Sequence, residues 1–189
     1  MIANHQSTLD ICVLACIWIL KYTVVIKREL LFIPGIGSLM WFSRYLSVDR
    51  RDKESGRKLM RDAAATLKGG KDILWFPEGT RNVNATGSTL GPFKPGAFLV
   101  AVEQGANILP ISMSGARQIF PMNSGLPQMF TGTVRVRIHP PISSVGKTVD
   151  QLIAEVRTSI ESGLRECDII KADAKSIPAT VPTRLDKEG

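Results

Sequence analysis

The apolar positions of this chain fall into runs whose spacing alternates between that of a helix and that of a strand. Ser7 stands where a helix N-cap is wanted, and Asp10 sits three positions on, where a capping box places its acid. An apolar helix over roughly 8–20 follows. Residues 22–26, β-branched after Tyr22, read as a buried strand. Residues 29–46 are unusually apolar, and Pro34, Gly35 and Gly37 divide them into a short helix, a turn and a second helix. Residues 45–48 read as another strand. An amphipathic helix covers 52–68 and stops at Gly69-Gly70. Residues 72–76 form a further strand, 77–94 a long loop, and 96–104 a helix halted by Gly105. Strands at 108–113 and 133–138 precede a last helix over about 149–170. From Ala172 onward, mixed charges and helix-breaking residues predict a loose tail.

Strands alternating with helices indicate an α/β fold, a largely parallel or mixed sheet flanked by helices. A length of 189 residues suits one domain, expected over 1–171 with the tail at 172–189. Loops beyond the strand ends are then the place to look for chemistry.

Composition adds a bias in partner. Lys and Arg number 24 against 17 Asp and Glu, a formal net charge of +7. That excess favours phosphate, a lipid headgroup or nucleic acid, although a basic protein without a charged partner shows the same number. No nucleic-acid motif is present, and few aromatics interleave with the basic residues. The three cysteines have no paired spacing, which argues for a reducing compartment over a disulfide framework. No Cys/His cluster supports a metal site. The longest apolar run, 11–20, ends at Lys21 and is about half the length of a membrane-spanning helix.

Four groups of residues carry candidate chemistry. His5 and Asp10 are five positions apart, which would turn them about 140° away from each other within one helix. With His5 in the loop before the cap and Asp10 in the first turn, they can meet, and Asp10 can fix the imidazole tautomer. Otherwise Asp10 only caps the helix and His5 is a surface residue. Residues 76–81, Phe-Pro-Glu-Gly-Thr-Arg, follow a strand and offer backbone N–H groups, a hydroxyl and a fork-shaped cation suited to phosphate; Glu78 and Arg81 can alternatively form a structural ion pair. Lys94 closes the same loop near a helix start, a natural place for an anion. Lys27 and Arg50 also follow strands. Singly they read as solvated charge, but in a parallel sheet Lys27, Arg50 and Arg81 converge at one edge.

With these residues in place, the chain resembles the glycerolipid acyltransferase family that includes the 1-acyl-sn-glycerol-3-phosphate acyltransferases. The family's block NHxSxxD is matched by Asn4, His5, Ser7 and Asp10, and FPEGTR by residues 76–81 in full. A second block resembles Lys27-Arg28-Glu29-Leu30 through Pro34, Gly37 and Arg50, and a fourth Ile108-Leu109-Pro110-Ile111. The resemblance spans about 4–115. It implies an enzyme in which His5 takes a proton from the free hydroxyl of lysophosphatidic acid while Asp10 orients it. It also implies that Lys27, Arg50 and Arg81 hold the acceptor phosphate, with Glu78, Gly79 and Thr80 shaping that pocket. The donor is an acyl-CoA or acyl-carrier protein, no cofactor or metal is needed, and no nucleic acid is a partner. The protein would be associated with a membrane surface, its active site facing the cytoplasm. The stretch 30–46, with Trp41, Phe42 and Arg44, is then either core or a surface for bilayer and acyl chains. Two alternatives stand beside this reading: another lysophospholipid or glycerol 3-phosphate as acceptor, and a non-catalytic module that binds anionic lipid. Family members carry an apolar segment and a full strand before NHxSxxD. Here only Met1-Ile2-Ala3 precede it, so an N-terminally truncated form is expected, with three residues too few for an ordinary strand.

Overall fold

The structure is a computed structural model that describes residues 1–17, 22–28, 45–49, 52–80, 89–121 and 129–176. Its elements are β1 (Ile2–Ala3), α1 (Leu9–Ile17), β2 (Tyr22–Lys27), β3 (Tyr45–Val48), α2 (Lys53–Lys68), β4 (Asp72–Leu74), α3 (Gly96–Gln104), β5 (Pro110–Ser114), α4 (Ala116–Ile119), β6 (Arg135–Ile138) and α5 (Val149–Ser176). Local sequence explains most boundaries. Asp52 caps α2 by accepting from the N–H groups of Glu54 and Ser55, and Gly105 ends α3 in the left-handed conformation.

Two three-stranded pieces, β3-β2-β4 and β1-β5-β6, are joined by a parallel bridge between Ile2 and Trp75. Ala3 N–H donates to Trp75 O at 3.1 Å, and Trp75 N–H to Met1 O at 3.0 Å. The strand order is therefore β3-β2-β4-β1-β5-β6, with β6 antiparallel and the other pairs parallel. Ile2 and Ala3 form a strand of two residues, short of the ordinary length as expected, and it lies in the middle of the sheet, because neighbours on both sides supply the pairing that its short length cannot.

Side chains alternate between the two faces. Ala3, Leu74, Phe76, Ile111 and Met113 pack with Leu14 of α1 on one face. Ile2 and Ile108 pack with Phe98 of α3 and Leu152, Val156 and Ile160 of α5 on the other. Ile73 meets Ala63 of α2 and Val100 of α3 on that second face. The result is an α/β domain with helices on both sides of a mixed, mostly parallel sheet.

The helix α5 sits unusually close to β5. Ser112 Oγ donates to Ile160 O at 2.8 Å and so accepts from His139 Nε2 at 2.7 Å. Beside them, a Cβ on Gly163 would lie 2.5 Å from Ser112 Oγ. His139 is buried in this contact. The helix also continues to Ser176, past the expected end near 170 and into the predicted loose tail. Residues 171–176 contain no Gly or Pro to stop it, and Pro178 is the first breaker. The predicted helix–turn–helix over 29–46 lies outside the described residues, apart from the start of β3.

Candidate active site

The chain leaves β1 toward α1 on one face of the sheet and leaves β4 toward α3 on the other. Neighbouring parallel strands whose outgoing chains diverge leave a crevice at their C-terminal ends. His5 follows β1 and residues 76–80 follow β4, so both stand at that crevice.

Asp10, fully buried, organises its side of the site. One carboxylate oxygen, Oδ2, accepts from the N–H groups of Gln6 at 2.6 Å and Ser7 at 2.9 Å, and lies 2.8 Å from His5 Nδ1. An ionised carboxylate oxygen only accepts, so Nδ1 carries a proton and donates, and in the neutral ring the lone pair is on Nε2. Ser7 Oγ accepts in return from Leu9 N–H at 3.3 Å. Capping the helix and orienting the histidine, alternatives in the sequence, are one arrangement in the structure. The His5 ring stacks on Phe76 with centroids 4.3 Å apart. Its neighbour Asn4 is buried and bonds both backbone groups of Met113, donating to O at 2.9 Å and accepting from N–H at 2.7 Å.

Glu78 is buried as well. Its Oε1 accepts from His5 N–H at 2.9 Å and its Oε2 from Gly91 N–H at 2.8 Å. Burial pushes its carboxyl above the ordinary value of 4.5, against the opposing pull of those two N–H groups.

A cavity of about 560 Å³ lies against His5. Lys27, Gly79, Thr80 and Lys94 give it a polar wall, and Val25, Val48, Leu59, Met60 and Trp75 an apolar one. Gly79 has φ +71°, and a Cβ there would meet the Lys94 stem at 3.0–3.1 Å. Glycine thus serves both the turn and the close passage of Lys94. The Lys94 N–H donates to Pro77 O at 2.9 Å, fastening the end of the loop to its beginning.

Of the residues singled out in sequence, the structure brings His5, Asp10, Lys27, Gly79 and Thr80 to this cavity or to the side chain that lines it. Glu78 is not among the lining residues. Arg50 and Arg81 lie outside the described residues, adjoining the described Asp49 and Thr80. Sequence reasoning gave no role to Asn4 or Gly91, whose partners are distant in the chain. Among the described residues, no three His, Cys, Asp or Glu side chains are grouped so as to hold a metal ion. No helix of the described residues is long and apolar enough to cross a membrane.

Comparison with known proteins places these residues in context. The acyltransferase family model matches residues 1–114. The chain is 36% identical over 172 residues to the 1-acyl-sn-glycerol-3-phosphate acyltransferase alpha of Mus musculus, covering 88% of this chain and 58% of that protein. It is 35% identical over 164 residues to a chloroplastic 1-acyl-sn-glycerol-3-phosphate acyltransferase of Brassica napus, covering 86% and 45%. Identity is 33% over 171 residues to the 1-acyl-sn-glycerol-3-phosphate acyltransferase of Escherichia coli (strain K12), covering 88% and 67%. The chain thus spans about half the length of several curated relatives that it matches. The crystal structure of the 1-acyl-sn-glycerophosphate (LPA) acyltransferase from Thermotoga maritima superposes with a TM-score of 0.73 at 28% identity, covering 88% of this chain and 65% of that one.

Proposed function

The chain belongs to the acyltransferase family, and we propose that it transfers an acyl group from a thioester to the sn-2 hydroxyl of 1-acyl-sn-glycerol 3-phosphate, making phosphatidic acid. The observation that carries this reading is His5, held through Nδ1 by Asp10 and lining a cavity that also presents Lys27 and Lys94. The names of the relatives point to the same acceptor.

In the proposed reaction, His5 Nε2 takes the proton as the acceptor hydroxyl attacks the thioester carbonyl carbon. The new C–O bond forms, the C–S bond breaks, and the imidazolium returns its proton to the departing thiolate. Asp10 balances the positive charge on the ring and holds its orientation. The acceptor phosphate is a dianion, and Lys27, Lys94 and the Thr80 hydroxyl would hold it at the polar wall, with Arg50 and Arg81 beside it. Gly79 keeps that wall close to the backbone, and Glu78 shapes it from within. The apolar wall suits an acyl tail. The donor is an acyl-CoA or an acyl-carrier protein, and the reaction takes place at a membrane surface where the tailed acceptor resides. Cys12 and Cys16 are free and exposed, which supports an active site on the reducing, cytoplasmic side.

The test is transfer of a labelled acyl group from acyl-CoA to detergent-dispersed lysophosphatidic acid. We expect labelled phosphatidic acid and free CoA, and a loss in kcat of about 10²–10⁴-fold in His5→Ala. Vigorous turnover by His5→Ala would overturn the mechanism. Preferential acylation of glycerol 3-phosphate would overturn the acceptor.

A further inference from the structure

Arg157 lies on α5, beyond the residues that the family model matches and beyond every motif in the chain. Its guanidinium is nonetheless engaged through all three nitrogens. One terminal nitrogen donates to Gly91 O at 2.8 Å, and the other to Leu90 O at 3.0 Å. Its Nε is 2.9 Å from Glu161 Oε1, and its central carbon stands 5.4 Å over the Phe93 ring. A lysine would supply the charge but not this two-pronged grip.

The carbonyl of Leu90 and the N–H of Gly91 belong to one planar peptide unit, and in a trans peptide they point in opposite directions. Arg157 holds the carbonyl end, and Glu78 Oε2 receives the N–H end at 2.8 Å. A cation at the oxygen and an anion at the N–H polarise that unit in the same sense, so each bond strengthens the other. The second Glu78 oxygen then receives His5 N–H at 2.9 Å. Two rigid planar groups, a peptide and a carboxylate, thus stand in series between α5 and the backbone of His5.

We infer that Arg157 is a positioning residue: through the peptide joining Leu90 to Gly91 and the Glu78 carboxylate, it fixes the backbone from which His5 reaches the acceptor hydroxyl. The inference rests on the proposed acyl transfer for its kinetic consequence, but not for its geometry. Displacing a general base by a fraction of an ångström lowers the rate of the chemical step and leaves the phosphate contacts of the acceptor in place.

The experiment compares Arg157→Met, which keeps an apolar stem against Phe93, with Arg157→Lys and with the control Arg165→Ala. Arg165 is exposed and reaches only Glu161 among the described contacts. In Arg157→Met we expect kcat to fall about tenfold or more, with KM for lysophosphatidic acid within about twofold of the native value. Arg157→Lys recovers part of the loss, and Arg165→Ala retains native kinetics. Amide hydrogen exchange supplies a readout independent of activity. The His5 and Gly91 amides should exchange about tenfold faster in Arg157→Met, while the Met113 amide, held by Asn4, keeps its protection. Unchanged exchange at His5 and Gly91 overturns the inference, as does a rise in KM with kcat intact. Absence of lysophosphatidic acid turnover in the native protein would instead overturn the proposed function and leave the exchange comparison to decide the role of Arg157.

Discussion

At the scale of single residues, Asp10 carries two duties that can be separated by measurement. Replacing His5 with alanine removes the proposed base, its stacking on Phe76 and its bond to Asp10, a cost of about 1 kcal/mol in stability. Replacing Asp10 with alanine leaves the Gln6 and Ser7 N–H groups and the His5 Nδ1–H without their shared acceptor. We expect Asp10→Ala to abolish activity too, and to cost about 2 kcal/mol or more in urea unfolding. Equal stability of the two variants would show that the helix start does not depend on Asp10. The cations make a different prediction. Lys27→Ala and Lys94→Ala should each raise KM for lysophosphatidic acid about tenfold or more with a smaller change in kcat, because both line the cavity without touching the His5–Asp10 pair in any described contact. The meeting of His5 with Asp10 is legible in sequence, because a cap at Ser7 fixes the loop-to-helix geometry. The burial of Glu78 is not legible, because both its partners are far along the chain.

At the scale of elements, helix ends and strand positions follow local chemistry closely. The segments α3 and β3 match their expected bounds, where Gly105 stops the helix and Tyr45 and Val48 favour a strand. The strand β1 escapes such reading, since two residues carry no periodicity and only their neighbours define them. The docking of α5 on β5 is likewise a matter of contact. Alanine is about 1 kcal/mol better than glycine within an isolated helix. At Gly163, a Cβ would press on Ser112 Oγ at 2.5 Å and on His139 Nε2 at 2.7 Å. We therefore expect Gly163→Ala to lower the thermal midpoint despite its better helix propensity. A raised midpoint would show that α5 can move away without cost.

At the scale of the whole molecule, stability should respond to pH through the groups that the fold buries. Burial, reinforced by the Arg137 charge, lowers the His139 imidazole below its usual 6.5. Between that lowered value and 6.5 the unfolded chain binds the proton more readily, so stability falls as pH drops through this window. Glu78 acts in the opposite sense: its raised value means a contribution lost as pH rises above 4.5. Urea midpoints measured across the His139 window should decline toward acid in the native protein and flatten in His139→Gln; an unchanged slope would remove His139 as the cause. The sequence by itself determined the α/β alternation, the loops that carry the candidate chemistry and the cap that turns Asp10 toward His5, because each depends on residues close in the chain. Only the tertiary structure decided that β1 is central, that α1 and α3 leave on opposite faces to open a crevice, and that Glu78 joins His5 to the loop gripped by Arg157. Those outcomes depend on pairings across tens of residues, where sheet register and the satisfaction of buried polar groups choose the partner, and local sequence carries no record of that choice.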